Sequence, residues 1–154
     1  MTSAAKAARS LRYLWALPNS ALGAMLGIVA LACGARARIV DGALEIGGGR
    51  LGTLASRLPG SRRFSAITLG HVIVGASDAS LDALRSHEHV HVRQYERWGP
   101  LFLPLYLGSS LLQLARGRRP YRDNRFERDA YASTVRQPPH ARHDGDRAPR
   151  HEGG

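Results

Sequence analysis

Hydrophobic residues are unevenly distributed along this chain, and the 21 residues from Leu14 to Gly34 carry no charge, between Arg12 and Arg36. Arginines bound it on both sides. A helix of about 20 apolar residues can cross the hydrocarbon core of a bilayer. The pattern therefore predicts a membrane helix over 14–34, after a basic N-terminal segment over 1–13. Gly23 and Gly27 form a GxxxG pattern, which lets another helix approach closely.

Other interpretations of this run stay open. It could be a cleaved signal sequence with a poor cleavage site at Ala35-Arg36-Ala37, a lipoprotein signal ending at Cys33, or a helix buried in a soluble core. Pro18 and Asn19 weaken the first turn, which would move the start of the helix to near Ser20. If the helix does span a bilayer, the arginines that follow it favour a cytoplasmic C-terminal domain.

Alternating apolar and polar residues predict β-strands after this run. Residues 37–46 are typical of a β-hairpin with Asp41-Gly42 at its turn, and Gly47-Gly48-Gly49 ends it. Residues 51–58 predict a short helix. Residues 64–74 predict one or two further strands directly ahead of the central helix.

A three-four spacing of apolar residues predicts a helix from Ser80 to Trp98. Ser77, Asp78 and Ser80 are its candidate N-caps, and Gly99-Pro100 ends it. The next run, Leu101 to Ala115, is apolar for 15 residues. Because it is too short to span a bilayer reliably, we expect it to pack behind the preceding helix or to lie in the membrane interface.

Together these elements predict an α+β fold, with short β-hairpins preceding a long central helix and further helices, behind an N-terminal hydrophobic helix. The folded domain is expected over 35–135. Residues 136–154 are rich in Pro, His, Arg, Asp and Gly and have almost no large apolar side chain. That composition predicts a disordered tail.

The chain is basic, with a formal net charge of +10, and Lys6 is its only lysine. High arginine, alanine and glycine content also follows from a GC-rich coding sequence, aromatic residues are few, and no nucleic-acid-binding module is present, so no nucleic-acid partner is expected. Six arginines within 116–128 favour either a solvated surface or contact with anionic lipid head groups. The single cysteine excludes an intramolecular disulfide.

The strongest chemical signal is His87-Glu88-His89-Val90-His91, which contains the zinc signature HExxH. On a helix, His87 and His91 lie on one face and can bind the same metal ion. Glu88 is rotated about 100° from His87, so it would reach a water on that ion as the general base. His89 lies on the opposite side of the helix and cannot join the site.

A catalytic zinc site requires a third protein ligand, and the best candidate is Glu127. Asn124 and Glu127 also have the spacing of a helix capping box, which would use the same carboxylate without any metal. We favour the ligand role because His87 and His91 otherwise lack a third partner. Asp123 and Asp129 are the fallback ligands.

The segment HEHVHVRQYERWG, followed about 30 residues later by NRFERDAYA, resembles the small HExxH metallopeptidases of the gluzincin type. The resemblance covers about residues 65–135. It implies a zincin-type active-site helix, zinc (Zn2+) at His87, His91 and Glu127, Glu88 as general base, and a peptide or protein as substrate. It also implies that the strand at Thr68–Ile73 borders the cleft and pairs with extended substrate.

Two positions depart from related patterns. Many gluzincins have an aspartate four residues after the glutamate ligand, where it supports the first histidine, and this chain has Tyr131 there. The residue three after His91 is Gln94, which excludes the metzincin continuation HExxHxxGxxH.

Supporting roles around the metal remain open in the sequence. The oxyanion of an acyl-transfer reaction needs a donor, and the candidates are Tyr106, Tyr121, Tyr131 and His71. Gln94 and Tyr95 could support the ligands. The competing class of function is a non-catalytic protein, either an inactive zincin-like chain or a basic membrane-associated module.

Overall fold

A computed structural model describes residues 3–50, 52–53 and 65–136. The predicted helix over 51–58 lies outside these residues apart from positions 52 and 53, and so does the predicted tail apart from Arg136. The fold is α+β, as predicted. Its elements, in chain order, are α1 (Ser3–Ala32), β1 (Arg36–Val40), β2 (Ala43–Gly47), β3 (Ala66–Leu69), β4 (Val72–Gly75), α2 (Asp78–Trp98), a 3-10 turn (Gly99–Leu101), α3 (Phe102–Ala115) and α4 (Arg125–Arg136).

The four strands form one mixed sheet in the order β1-β2-β4-β3. Each predicted hairpin is present, and β2 joins β4 in parallel. The first hairpin turns at Asp41 and Gly42, whose φ angles are 48° and 85°. A two-residue turn with both φ angles positive matches the twist of the strands, and Asp-Gly is a favoured pair for it. Strand β3 lies at one edge of the sheet.

One face of the sheet is covered by α1. Alternate strand residues point towards this helix, and the cluster they form with it comprises Ala30, Ala35, Ile46, Val72 and Val74. Gly23 and Gly27 face the sheet: a Cβ at Gly23 would lie 2.7 Å from the Leu69 carbonyl oxygen, and one at Gly27 would meet the Ile46 side chain. The GxxxG pattern therefore allows α1 to lie close to the strands of the sheet, whereas the sequence suggested close approach of a second helix.

The predicted start of this helix near Ser20 is wrong, because α1 runs from Ser3 and passes through Pro18 without a break. Proline removes one helical hydrogen bond. The next residue, Asn19, is buried and donates from Nδ2 to the Gly99 carbonyl oxygen at 2.9 Å. The Asn19 side chain, which argued against a helical first turn in the sequence, thus makes a tertiary contact to the turn after α2.

The side of α1 that faces away from the sheet remains apolar and exposed. Helix α1 is long and apolar enough to cross a membrane. The same helix also packs against the sheet, as the core-helix interpretation expects. It therefore has one buried face and one exposed apolar face. Its exposed large apolar residues are Leu11, Leu14, Trp15, Leu17, Leu22, Met25, Ile28, Val29 and Leu31.

Helix α2 covers the opposite face of the sheet, where Leu81 and Val92 pack with Ala43 and Ile73. Ser77 is its N-cap and accepts from the Ser80 backbone N–H at 3.0 Å. The helix ends at Gly99, as predicted. The result is a three-layer arrangement of α1, the sheet and α2, and α4 packs against α2, which carries the HExxH segment.

Candidate metal centre

His87, His91 and Glu127 come together in the structure, and all three are buried. The two histidine Nε2 atoms are 3.2 Å apart. The Glu127 carboxylate lies 3.2 Å from His87 Nε2 and 3.3 Å from His91 Nε2. The i and i+4 spacing aligns the histidines on one face of α2, and α4 supplies the carboxylate from 36 residues further along the chain.

The donor atoms of these three residues are close enough together to bind one metal ion. Zinc bound to nitrogen and oxygen at about 2.05 Å with tetrahedral angles places neighbouring ligand atoms about 3.3–3.4 Å apart. The two imidazole nitrogens, 3.2 Å apart, are close to that spacing, and each lies 3.2–3.3 Å from a different oxygen of the Glu127 carboxylate. Glu127 Oε2 is also buried and has no hydrogen-bond partner among the described residues. The donor set of two imidazoles and one carboxylate is therefore of a kind that can hold a metal ion.

Glu127 does not take the capping-box role that the sequence also allowed. Asn124 caps α4 by accepting from the Phe126 backbone N–H at 2.9 Å. In a capping box the glutamate would bind the Asn124 N–H, but that N–H donates to the Tyr121 carbonyl oxygen. The Glu127 carboxylate instead faces the histidines and accepts a 2.7 Å hydrogen bond from the Tyr106 hydroxyl.

Gln94 orients His91, in line with the supporting role suggested by the sequence. Its Oε1 lies 2.9 Å from His91 Nδ1, so Nδ1 is the donor in this hydrogen bond, and the neutral imidazole would keep its lone pair on Nε2. The Gln94 amide nitrogen donates to the Phe126 carbonyl oxygen and to the Asp129 carboxylate, each at 3.1 Å. One side chain thus fixes a histidine and ties α2 to the helix that carries Glu127. Tyr95 packs edge-to-face on Phe102 and contributes to the aromatic core.

His87 lacks the equivalent support. Its Nδ1 is buried without a hydrogen-bond partner among the described residues. The Tyr131 ring packs against the imidazole, with 4.6 Å between ring centroids. The position where gluzincins carry an aspartate thus contributes a ring contact to His87, so the two metal-facing histidines are unequally constrained.

Glu88 is held by strand β3. The Thr68 hydroxyl donates to Glu88 Oε2 at 2.6 Å, and both residues are buried. The same strand and Glu88 line one cleft with the three ligand residues, and this cleft has a volume of about 980 Å³. The contact between Thr68 and Glu88 requires the register of β3 against α2, so no local pattern in the sequence indicates it.

Electrostatics within the centre favour an ionised carboxylate. Burial alone would raise the pKa of Glu127, but the imidazoles of His87 and His91 beside it hold this pKa well below its usual range. Burial works to lower the pKa of His91, yet the facing Glu127 carboxylate raises that pKa above its usual value. Glu127 is therefore a carboxylate at neutral pH, the form that binds a metal ion.

Of the oxyanion-donor candidates, three line the cleft and one does not. Tyr106, Tyr121 and Tyr131 line it. His71 does not: it stacks on Tyr13 with 4.0 Å between ring centroids, on the α1 side of the sheet. Two cleft residues that the sequence did not single out are Arg119 and Arg122, which belong to the arginine-rich segment after α3.

Neither fallback ligand joins the centre. Asp123 accepts from the Arg119 backbone N–H at 2.9 Å, and Asp129 accepts from Gln94. His89 lies on the other side of α2, as expected, where its Nε2 is 3.8 Å from a carboxylate oxygen of Glu45. Burial lowers the pKa of His89.

Glu45 is a buried carboxylate that sequence reasoning missed. Its side chain is fully buried and accepts from the guanidinium groups of Arg38 and Arg85 at 2.8–3.1 Å. Asp82 contacts the same two arginines at 2.7 and 2.6 Å. This network joins β1, β2 and α2 behind the HExxH segment and so stabilises the helix on which the histidines lie.

No family model matches the sequence, and neither the curated proteins nor the solved structures include a significant match to it.

Proposed function

We propose that this chain is a membrane-associated, zinc-dependent metallopeptidase of the HExxH type. His87, His91 and Glu127 would hold the ion, and Glu88 would act as general base. The observation that carries the proposal is the convergence of two imidazole nitrogens, 3.2 Å apart, on one carboxylate whose two oxygens each lie 3.2–3.3 Å from one of them. A second carboxylate, Glu88, lines the same cleft.

The donor set favours zinc among the metals. Two histidines and one glutamate are a ligand set of catalytic zinc sites, which keep a fourth position open. Bound zinc would lower the pKa of a coordinated water towards ~7 and polarise the substrate carbonyl. An open cleft beside the three donors, rather than a closed cage of four, supports a catalytic over a structural metal.

Glu88 has the position and partners of a proton carrier. Thr68 occupies one carboxylate oxygen and thereby fixes the orientation of the group. Glu88 also lines the cleft, so its carboxylate borders the space in which a substrate would bind. In the proposed reaction this carboxylate takes a proton from the attacking water and passes it to the leaving amine.

Strand β3 supports a peptide as the substrate. It is an edge strand, its residues 66–69 line the cleft, and its outer edge is not paired with another described strand. An extended peptide can add to such an edge through backbone hydrogen bonds. A peptide bound there would run past Glu88 and the three ligand residues.

The membrane location rests on α1. This helix has the length and hydropathy of a membrane span and an uncovered apolar side. A cytosolic surface rarely exposes so continuous an apolar stripe.

The alternative is a non-catalytic protein. One observation favours it: the Glu127 carboxylate already faces both imidazoles and accepts a hydrogen bond from the Tyr106 hydroxyl, so the group is compatible with a metal-free structural cluster. Buried polar groups commonly satisfy one another in this way.

Metal analysis of the full-length protein, purified without chelators, separates the two functions. The enzyme interpretation requires about one zinc per chain, lost in His87→Ala and retained in the matched control His89→Ala. Glu88→Gln should keep zinc and lose hydrolysis of a casein-derived peptide library. A zinc-free wild-type protein that also fails to take up added zinc would refute the proposal.

A further inference from the structure

The distribution of apolar and polar side chains on helix α3 is the reverse of that on an ordinary surface helix. Every exposed residue on it lacks a polar side chain: Pro104, Leu105, Leu107, Gly108, Leu111, Leu112, Leu114 and Ala115. Its polar residues point inwards, where the Ser110 hydroxyl accepts from Asn124 and Gln113 is buried. Surface helices in water show the opposite arrangement. The outer face of α3 is therefore suited to an apolar environment.

The outer faces of α1 and α3 meet at the turn between α2 and α3. The Trp15 ring packs against Gly99, and Asn19 donates to the Gly99 carbonyl oxygen. Leu101, in the same turn, is exposed. The apolar stripe of α1 therefore continues across the turn onto α3.

Positive charge flanks this combined surface. Neither helix contains an aspartate or a glutamate. Arg9 and Arg12 precede the apolar stretch of α1, and Arg116 and Arg118 follow α3, all of them exposed or partly so. Anionic lipid head groups attract arginines in this position by about 1 kcal/mol each.

We propose that the outer faces of α1 and α3 form a single lipid-binding surface that lies in the head-group and acyl boundary of an anionic bilayer. With the sheet packed along α1, a bilayer-spanning position would carry open strand edges into the hydrocarbon, which membranes do not tolerate. The chain is thus seated on one leaflet. Phe102, Leu103 and Tyr106, on the inner side of α3, line the metal cleft, so the cleft lies one helix away from the lipid.

This inference rests on the membrane location proposed above and is independent of the metal. Depth-dependent quenching tests it on the full chain carrying Cys33→Ser, with a single new cysteine at Ile28 on α1, Leu111 on α3 or Ala83 on α2. Ala83 is an exposed apolar control on the far side of the sheet. Each variant would carry an environment-sensitive nitrobenzoxadiazole label and be bound to mixed phosphatidylcholine and phosphatidylglycerol vesicles.

The expected result is severalfold stronger quenching by nitroxide lipids with a shallow acyl label at positions 28 and 111 than at 83, and iodide quenching in the reverse order. Lipid contact at 28 with water contact at 111 would overturn the inference and leave the membrane location intact. Water contact at both positions would overturn both. Shielding at 111 before vesicles are added, rising with protein concentration, would assign the surface to a second copy and also overturn the inference.

Discussion

His91 Nδ1 lies 2.9 Å from Gln94 Oε1, one helical turn further along α2, and the Gln94 amide nitrogen reaches the Asp129 carboxylate on α4 at 3.1 Å. The same glutamine therefore orients the His91 imidazole and contacts the helix that carries Glu127, so it positions two of the three candidate ligands. Partners of this kind tune metal affinity without touching the ion.

Replacing Gln94 should consequently weaken metal binding without removing a ligand. We expect Gln94→Met to lower zinc affinity by about 10- to 100-fold, measured by competition with a fluorescent zinc chelator. Gln113→Met is the matched control, since Gln113 is also a buried glutamine on a helix and its Oε1 has no hydrogen-bond partner among the described residues. Equal affinities for the two variants would contradict a positioning role for Gln94.

Substitutions at the two ends of the capping-box pattern, Asn124 and Glu127, should have different effects on stability and on zinc binding. Asn124→Ala removes the α4 cap and a fully buried amide, so the free energy of unfolding should fall by about 1–3 kcal/mol, while the folded fraction still binds zinc. Glu127→Gln should abolish stoichiometric zinc binding with a smaller loss of stability. Denaturant unfolding paired with metal analysis checks both. If Glu127→Gln retained zinc and Asn124→Ala lost it, the assignment of roles would be reversed.

Features that depend on local spacing could be predicted from the sequence. His87 and His91 share a face because of helix geometry alone, and Asp41-Gly42 defines its turn through backbone preferences. Glu127 was predictable as a candidate ligand, but its contact with the histidines was not, because a capping role is equally consistent with the local sequence. Only the position of α4 against α2 places its carboxylate beside the histidines.

Glu45 and Thr68 show what could not be predicted. Glu45 alternates with Leu44 and Ile46 in β2, which predicts a solvent-facing carboxylate when one face of a sheet is buried. Here α2 covers the second face, so the carboxylate is buried with Arg38 and Arg85. The bond from Thr68 to Glu88 likewise depends on how a strand lies against a helix, and no sequence period encodes that.

Giving His87 Nδ1 a hydrogen-bond acceptor should raise the affinity of the site for zinc. It is buried without a partner among the described residues, and Tyr131 packs against its ring. We expect Tyr131→Asp to supply a carboxylate acceptor and to raise zinc affinity by about tenfold or more. Tyr131→Phe, which preserves the ring contact and adds no acceptor, should leave the affinity unchanged. The same chelator competition measures both, and an identical affinity for the two variants would count against the unpaired nitrogen as the weak point of the centre.

The ion-pair network at Glu45 should make stability dependent on pH. Burial opposes ionisation of Glu45, but hydrogen bonds from Arg85 and Arg38 hold its pKa below the usual value. A carboxyl group whose pKa is lower in the folded state stabilises the fold above its unfolded pKa of about 4.3 and loses this contribution as the pH falls through the folded value.

Glu45→Gln should therefore cost about 2 kcal/mol at pH 7, below the usual loss for a fully buried pair because both arginines reach solvent. The difference from wild type should shrink below about pH 4. Urea unfolding followed by circular dichroism at several pH values measures it. Asp82→Asn is the control, since Asp82 contacts the same arginines from an exposed position and should cost less. A pH-independent difference for Glu45→Gln would show that shape, and not charge, makes Glu45 important to the fold.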